Sequence, residues 1–336
     1  MNSYSPQPVR VGIAGATGFA GQELIALLAR HPNVNLSIAM SSSPDSAARP
    51  LPRLARVWDG QVEPLNRARL AEGVDVAFLA VPESAAADLA PPLVEAGVRV
   101  IDLSGAFRIR DEAARTRWYP ATKSLPAGAA YGLTEHFRKE IQGAALVANP
   151  GCYPTAALLA LLPLAKAGIL DTSAGVIVDA KSGISGAGRA PSDRTHFSEN
   201  HGSVSAYGVF GHRHVAEMQQ ELGAAVTFVP HLVPLDRGIL ETIYATVQPG
   251  TTAEKIADVF ATAYGQEPFV RLTGDALPEI KHVAWTNFCD IGWRLDAGTR
   301  RLVIVAVLDN LVKGAAGQAL QNFNVSWGFD ERTALL

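Results

Sequence analysis

Val9-Arg10-Val11-Gly12-Ile13-Ala14-Gly15-Ala16-Thr17-Gly18-Phe19-Ala20-Gly21 runs from a short apolar segment through regularly spaced glycines. Leu24, Leu27 and Leu28 follow at helical spacing, which predicts a helix over 18–30. A strand that turns through glycines into a helix is a phosphate-binding device of doubly wound α/β proteins. Glycine permits the tight turn, and the N–H groups of the helix start face the anion. The spacing here is GxxGxxG rather than GxGxxG. Such a motif is weak alone and gains weight from its strand–loop–helix setting. The plainer alternative is a Gly-rich turn with no ligand. Gly12, Gly15, Ala16, Thr17, Gly18, Phe19 and Ala20 are the candidate cofactor contacts.

The rhythm continues outward from this loop. Residues 34–40 and 74–81 predict further strands, the latter stopped by Pro82, followed by a helix over 83–96 and a strand over 98–103. Alternation of this kind gives parallel strands with right-handed crossovers. Residues 1–150 thus read as a Rossmann-type domain of an α/β protein, with Val81, Pro82 and Ser104 at the strand ends where ligands bind. The second strand ends in Met40-Ser41-Ser42-Ser43, where an NAD site carries Asp or Glu for the ribose hydroxyls. The first acid is Asp45, beyond a proline. Ser41 and Ser43, with Arg49 or Arg53 nearby, suit a 2′-phosphate and hence NADP. The alternative is that the serines only form a turn.

The texture changes after residue 150. An apolar helix over 155–167 and a strand over 176–180 precede strands at 225–229, 239–247, 283–293 and 302–308, with no helix read between them. This predicts an α+β catalytic domain with a mixed or antiparallel sheet, one face of which suits a subunit interface. A last helix over 313–323 returns to the first domain. The expected division is 1–150 plus 310–336 for the NADP-binding domain, and 151–309 for the catalytic and oligomerisation domain. Residues 46–69 read as a surface excursion.

Val147-Ala148-Asn149-Pro150-Gly151-Cys152-Tyr153-Pro154-Thr155 is the most informative chemical segment. A strand end, a Pro-Gly turn and a helix start put Cys152 at a helix N-terminus, with Pro154 read as the first helical residue. The dipole and N–H groups there favour thiolate, and the same N–H groups suit an oxyanion. A buried structural cysteine is the commoner fate of a free thiol, and Cys289, in an alternating strand, fits it.

Five of the eight histidines lie between 196 and 231, and Gly211-His212-Arg213-His214 is the sharpest cluster. A thiolate attacking an acyl group needs an acid/base close by. His212 is the first choice and His214 the second. A metal pair is the competing reading, but third and fourth ligands are not evident; a brace at a helix start is another. Lys181-Ser182-Gly183-Ile184-Ser185-Gly186-Ala187-Gly188-Arg189 is a small-residue loop whose serines, amides and cations suit a phosphate or carboxylate. Arg108 follows a strand end at the ligand edge of the first domain. For these the alternatives are a flexible loop and a surface salt bridge.

Composition bounds the rest. The chain has 336 residues, 48% hydrophobic, which allows a large core in two domains. Its 29 basic and 32 acidic residues are well mixed, so neither nucleic acid nor a membrane surface is an expected partner. Two distant cysteines form no disulfide framework and no CxxC metal pair, which implies a reducing compartment. Residues 1–8 lack a signal-peptide pattern, and apolar runs are too short to span a bilayer. The expectation is a cytoplasmic protein without a metal.

Together these blocks resemble the N-acetyl-gamma-glutamyl-phosphate reductase family, related to the aspartate-semialdehyde dehydrogenases. The matching pieces are GATGFAGQEL, AVPE, IDLSGAFR, YGLTE, ANPGCYPTA, KSGISGAGR, GHRH, PHLVPLDRG and DNLVKGAAGQALQNFN, in the family's order from residue 15 to 324. The resemblance implies NADP, arginine biosynthesis, an acyl-phosphate substrate, Cys152 as nucleophile forming a thioester, and His212 as acid/base. It implies substrate contacts at Arg108, Asn149, Ser182, Ser185, Gly186, Arg189, His214 and Arg237. It places Asn310 and the Gly314 to Ala316 turn at the nicotinamide end, with Gly183 a further cofactor contact, and it implies a homo-oligomer, a dimer or a tetramer. The chain departs from the family at Gly105-Ala106, where the usual pair is Ala-Asp, and at Ser41-Ser42-Ser43, where an arginine is usual. Two rival functions remain: a reductase of the same plan for aspartyl or carrier-bound aminoadipyl phosphate, and a catalytically silent NADP-binding sensor.

Overall fold

In the computed structural model, residues 7–274 and 276–336 are described; residues 1–6, part of the N-terminal reading above, lie outside them. The chain forms two compact units, one built of the residues up to Asn149 together with Ala316–Leu336, the other of Pro150–Ala315.

The first unit opens with β1 (Val9–Ala14), α1 (Phe19–Leu28), β2 (Val34–Met40), β3 (Arg49–Pro50), β4 (Gln61–Val62) and α2 (Arg67–Gly73). It continues with β5 (Val76–Leu79), α3 (Glu83–Glu95), β6 (Arg99–Asp102), α4 (Glu112–Trp118), β7 (Ala130–Tyr131), α5 (Thr134–Gln142) and β8 (Leu146–Ala148). Six strands pair in the order β2-β1-β5-β6-β8-β7, all parallel. Apart from Arg10 and the first half of edge strand β2, the strands are largely buried apolar runs, as helices on both faces of a parallel sheet require. The order reverses between β1 and β5, which makes the crevice at their C-terminal ends the ligand edge. The stretch 46–69 is more than an excursion. Its hairpin β3–β4 (Arg49 opposite Val62) brings Leu51, Leu54 and Val62 into the core.

The second unit holds α6 (Cys152–Lys166), β9 (Val176–Gly183), α7 (Phe197–Asn200), β10 (Ser205–Ala206), α8 (His214–Leu222), β11 (Val226–Val233) and β12 (Ile239–Thr246). It closes with α9 (Ala253–Tyr264), β13 (Val270–Gly274), β14 (Cys289–Asp296) and β15 (Arg301–Leu308). Seven strands pair in the order β10-β11-β9-β12-β15-β14-β13. The sheet is mixed: β9 with β11 and β13 with β14 are parallel, and the other pairs are antiparallel. Strands β11 and β12 alternate buried and half-buried residues, so one face lies under the helices and the other is open. Helix α6 is buried from Tyr153 to Leu164, which explains its apolar residues on every side. The strand expected over 283–293 begins only at Cys289, because Trp285 adopts φ 67 and the Thr286 hydroxyl donates back to the Val283 carbonyl. Helix α9 was not expected. Finally α10 (Gly317–Trp327) belongs to the first unit, its end held by Arg99, which donates to the Ser326 carbonyl at 2.7 Å and covers Trp327.

One core residue breaks the apolar pattern. Glu241 on β12 is fully buried between Ala180 and Ala306, and neither carboxylate oxygen has a hydrogen-bond partner among the described residues. Burial raises its pKa well above the ordinary carboxylate value. Below the unfolded pKa the group is protonated in both states. Above it, the unfolded chain ionises while the folded chain keeps its proton, so stability falls as pH rises. Glu241→Leu is expected to stabilise the protein by about 1–3 kcal/mol at pH 4, the usual cost of an unsatisfied buried polar group, and by more at pH 8, where ionisation of the unfolded chain adds to it. The gain should shrink toward pH 4. Thermal unfolding of both proteins across this range checks it, and a gain independent of pH would contradict it.

Candidate active site

In the first unit the glycine loop divides its labour. Gly15 has φ 91, and a Cβ on it would lie 2.1 Å from the Ala80 carbonyl oxygen, so only glycine fits. The N–H groups of Gly15 and Ala16 both donate to the Met40 carbonyl, at 2.9 and 2.8 Å. Gly12 packs on Leu70 and Val74. Gly12, Gly15 and Ala16, all expected cofactor contacts, are buried. Thr17, Gly18, Phe19 and Ala20 form the half-exposed rim that leads into α1. A Cβ on Gly18 would meet nothing closer than 3.5 Å, so the protein's own packing does not require glycine there. An approaching pyrophosphate would, and the rim fits a dinucleotide on that ground.

Other expected contacts are engaged internally. The Ser41 hydroxyl donates to the Ser43 carbonyl at 2.7 Å, and Ser43 accepts from the Asp45 N–H, so the serines build a turn. Arg53 lies 3.6 Å from Glu23, while Arg49 is exposed on β3. Ser104 donates by N–H and hydroxyl to Asp102, whose full burial lifts its carboxyl to about 6. Val81 is buried and Pro82 is the exposed N-cap of α3. Arg108 is buried and donates to the carbonyls of Asn149 (2.7 Å) and Leu103 (2.9 Å). The Asn149 side chain accepts from Asn322 at 3.0 Å. Arg108 and Asn149 thus brace one another where the sequence had suggested substrate contacts.

The second unit carries the nucleophile. Gly151 is the N-cap of α6 and Cys152 its first residue. Pro154 comes third, where its missing N–H costs nothing because first-turn donors precede the helical ladder. The first bond of that ladder runs from the Thr155 N–H to the Gly151 carbonyl at 2.9 Å. Cys152 is half-buried, whereas Cys289 is fully buried in β14. Two neighbours fix the turn. Glu217 on α8 accepts the Gly151 N–H at 2.8 Å. The His214 ring packs on Gly151 so closely that a Cβ there would lie 2.5 Å from its Nε2. Gly314 closes another side, since a Cβ on it would fall 2.8 Å from that of Cys152.

The two histidines differ from their expected order. His214 begins α8 and shares its inner face with Glu217, three residues on. His212 sits among the rings of Tyr153, Tyr207, His214 and Phe228, and its Nδ1 accepts the His214 N–H at 3.2 Å. Burial, then the Arg213 charge, lowers its pKa to about 4. The ring that packs on the cysteine turn is that of His214, while His212 lies within the aromatic cluster. Tyr153 itself is buried, hydrogen-bonds Tyr207 at 3.2 Å and reaches Ser182; burial pushes its hydroxyl far above its ordinary value. Glu217 was missed, although His-x-x-Glu at a helix start puts both residues on one face.

The loop after β9 is bound to its surroundings. A Cβ on Gly183 would lie 2.7 Å from the Arg237 backbone, and one on Gly186 would lie 2.7 Å from the Ser182 hydroxyl. Asn310 accepts the Gly238 N–H (2.7 Å) and donates to the Ser185 hydroxyl (3.0 Å). These bonds explain why residues 310–315 join the second unit and not the first. Asn310 and Gly183, both expected at the cofactor, are thus tied into the frame of this loop. Arg237 is buried in an ion pair with Asp309 at 3.1 Å. Arg189 is exposed beyond Gly188, whose φ is 86. Among the described residues no cluster of three or more His, Cys, Asp or Glu suits a metal. No helix of the described residues is long and apolar enough to cross a membrane.

Comparison with known proteins places this geometry. Residues 10–144 match the semialdehyde dehydrogenase NAD binding domain, and residues 152–310 match the semialdehyde dehydrogenase dimerisation domain. N-acetyl-gamma-glutamyl-phosphate reductase of Desulforapulum autotrophicum is 45% identical, over 97% of this chain and 98% of the relative. The chain belongs to the N-acetyl-gamma-glutamyl-phosphate reductase family. The relative from Symbiobacterium thermophilum is 46% identical over 98% of this chain and 97% of its own, and that from Bacillus subtilis 43% over 97% and 98%. The fold is that of aspartate semialdehyde dehydrogenase II from Vibrio cholerae, with a TM-score of 0.72 at 20% identity over 95% of this chain and 98% of that one. The aspartate semialdehyde dehydrogenase from Candida albicans, solved with NADP, gives 0.67 at 17% identity over 95% and 98%. Family membership brings the α/β plan and the oxidoreductase class with it.

Proposed function

We propose that the protein reduces N-acetyl-glutamyl 5-phosphate to N-acetyl-glutamate 5-semialdehyde and phosphate, with NADPH, in arginine biosynthesis. The observation that carries this reading is Cys152 at the first position of α6, its turn held by Glu217 and packed on His214. The helix start favours a negative sulfur and, later, a negative carbonyl oxygen. Cys152 attacks the acyl carbonyl, the carbonyl–phosphate oxygen bond breaks, and phosphate leaves with the electron pair. A thioester on Cys152 remains. The bound cofactor supplies hydride to the thioester carbon. His214 takes the thiol proton at attack, gives it to the oxygen that becomes negative when hydride arrives, and takes it back as the carbon–sulfur bond breaks, releasing the aldehyde and the thiolate. Glu217, through the Gly151 N–H, keeps the turn in place during both steps. The substrate's anionic groups meet Arg189 at the rim of the loop after β9.

The half-exposed rim at Thr17–Ala20 holds the pyrophosphate. The absence of an acid directly after β2 and the exposed Arg49 support NADP over NAD. The NADP in the Candida albicans structure points the same way. The open sheet face, with Ile177 exposed and Leu240 and Tyr244 half-buried, supports a dimer formed through the second unit. Reverse-direction assays with phosphate test the reading. N-acetyl-glutamate semialdehyde with NADP should turn over at least about 100-fold faster, in kcat/KM, than aspartate semialdehyde or the NAD-linked reaction, a difference that buried polar recognition readily supplies. Equal rates with aspartate semialdehyde would contradict it.

A further inference from the structure

Asp309 follows β15 and is fully buried. Its carboxylate is a hub. Oδ1 accepts the N–H groups of Leu311 (2.8 Å) and Val312 (3.1 Å), while Oδ2 accepts the Trp285 N–H (2.6 Å) and Nη1 of Arg237 (3.1 Å). The Asp309 carbonyl also accepts the Gly314 N–H at 2.9 Å. The segment it caps, Val312–Ala316, is a π-helical turn, a rare wide turn concentrated at functional sites. Gly314 of that turn is the residue that lies against Cys152.

Arg237 completes the hub from the other side. Its guanidinium lies 3.2 Å from the centroid of the Trp285 ring. Trp285 is more than half exposed and has φ 67, a strained conformation for an aromatic residue. Its N–H bond to Asp309 holds it there. The ring covers an ion pair whose two side chains are otherwise buried.

We infer that Arg237 is a positioning residue: through Asp309 it fixes the 309–314 turn against Cys152, under the Trp285 ring. The inference rests on Cys152 being the nucleophile. A buried guanidinium paired with a carboxylate suits this role better than a grip on substrate anions. Without Arg237, Asp309 is an uncompensated buried charge, and the turn must shift to rehydrate it. A shift of about 1 Å beside a reacting atom costs on the order of 100-fold in rate.

The test uses the full chain, with two readouts. The first is the rate at which iodoacetamide alkylates Cys152 at pH 7 in substrate-free protein, followed by peptide mass. The second is kcat and KM for the acyl phosphate. Arg237→Met is expected to slow alkylation about tenfold and lower kcat about 10- to 100-fold, with KM within about threefold. Arg237→Lys, which keeps a cation beside Asp309, should recover much of both losses. A tenfold rise in KM with unchanged alkylation would make Arg237 a substrate ligand and overturn the inference, as would no change in alkylation and kcat. If Arg237→Met does not fold, Trp285→Leu decides: it uncovers the pair without removing either charge and should slow alkylation about threefold, whereas a wild-type rate overturns the inference. Turnover retained by Cys152→Ser would defeat the nucleophile reading itself, while the alkylation rates of the Arg237 variants would still report the turn.

Discussion

Cys152→Ser is expected to bind NADPH with little change and to lose turnover by roughly 10^4-fold or more. The size follows from what one atom does. A serine hydroxyl at neutral pH is almost wholly protonated, and the dipole of α6 cannot lower its pKa enough to supply an alkoxide. The thiol at the same place is far closer to its ionised form and intrinsically more nucleophilic. The thioester also accepts hydride more readily than an oxygen ester. The substitution removes no packing, since the two side chains are nearly isosteric and Gly151, Glu217 and His214 hold the turn through the backbone. Cofactor binding depends on the rim at Thr17–Ala20, which belongs to the other compact unit. Titration of cofactor fluorescence with steady-state kinetics separates the two effects. Turnover within tenfold of wild type would exclude the covalent route.

His214→Ala is expected to lower kcat by about 10²- to 10⁴-fold, the range for removing a positioned acid/base. His212→Ala should act mainly on stability, because His212 lies inside the Tyr153, Tyr207 and Phe228 cluster and its Nδ1 is occupied by a backbone N–H. The pH dependence follows from its sign. With its folded pKa lowered by burial to about 4 from an ordinary 6.5, His212 stays neutral in the folded protein while the unfolded chain takes up a proton. Its stability contribution is therefore present above 6.5 and lost as pH falls toward 4. His212→Phe should remove part of that acid sensitivity. Parallel kinetics and thermal melts on the two alanine variants check the assignment, and a larger kcat loss with His212→Ala would reverse the two roles.

Much of the scaffold was legible. The bounds expected for β1 and β2 are those found, because an apolar run between turn residues marks a buried parallel strand from both ends. The helix start at Cys152 was legible from Pro150-Gly151. Helix α9 carried a signal that was passed over: Ile256, Phe260 and Tyr264 recur every fourth residue and are all buried, and Thr252 caps the helix by accepting the Lys255 N–H. The late start of β14 was hidden, since its cause is a left-handed tryptophan and neither Gly nor Asn announces it.

The roles of polar residues were less legible, because sequence shows a charge and not its partner. Arg237 and Asp309 are 72 residues apart, and Arg108 finds its carbonyl 41 residues away. Nothing local distinguishes such internal ties from ligand contacts. The same holds for the histidine pair. Two rings separated by one residue are alike in sequence, and only the start of α8 at His214 turns one toward Gly151 and the other into the aromatic cluster.

The central claim is a covalent acyl group on Cys152, and intact-mass spectrometry tests it most directly. The protein, mixed with N-acetyl-glutamyl 5-phosphate in the absence of reduced cofactor, should gain the mass of one N-acetyl-glutamyl group. That mass should map to the peptide containing Cys152, disappear on adding NADPH, and be absent from Cys152→Ser. An unmodified protein that still turns over when NADPH is supplied, or an adduct on Cys289 instead, would contradict the account.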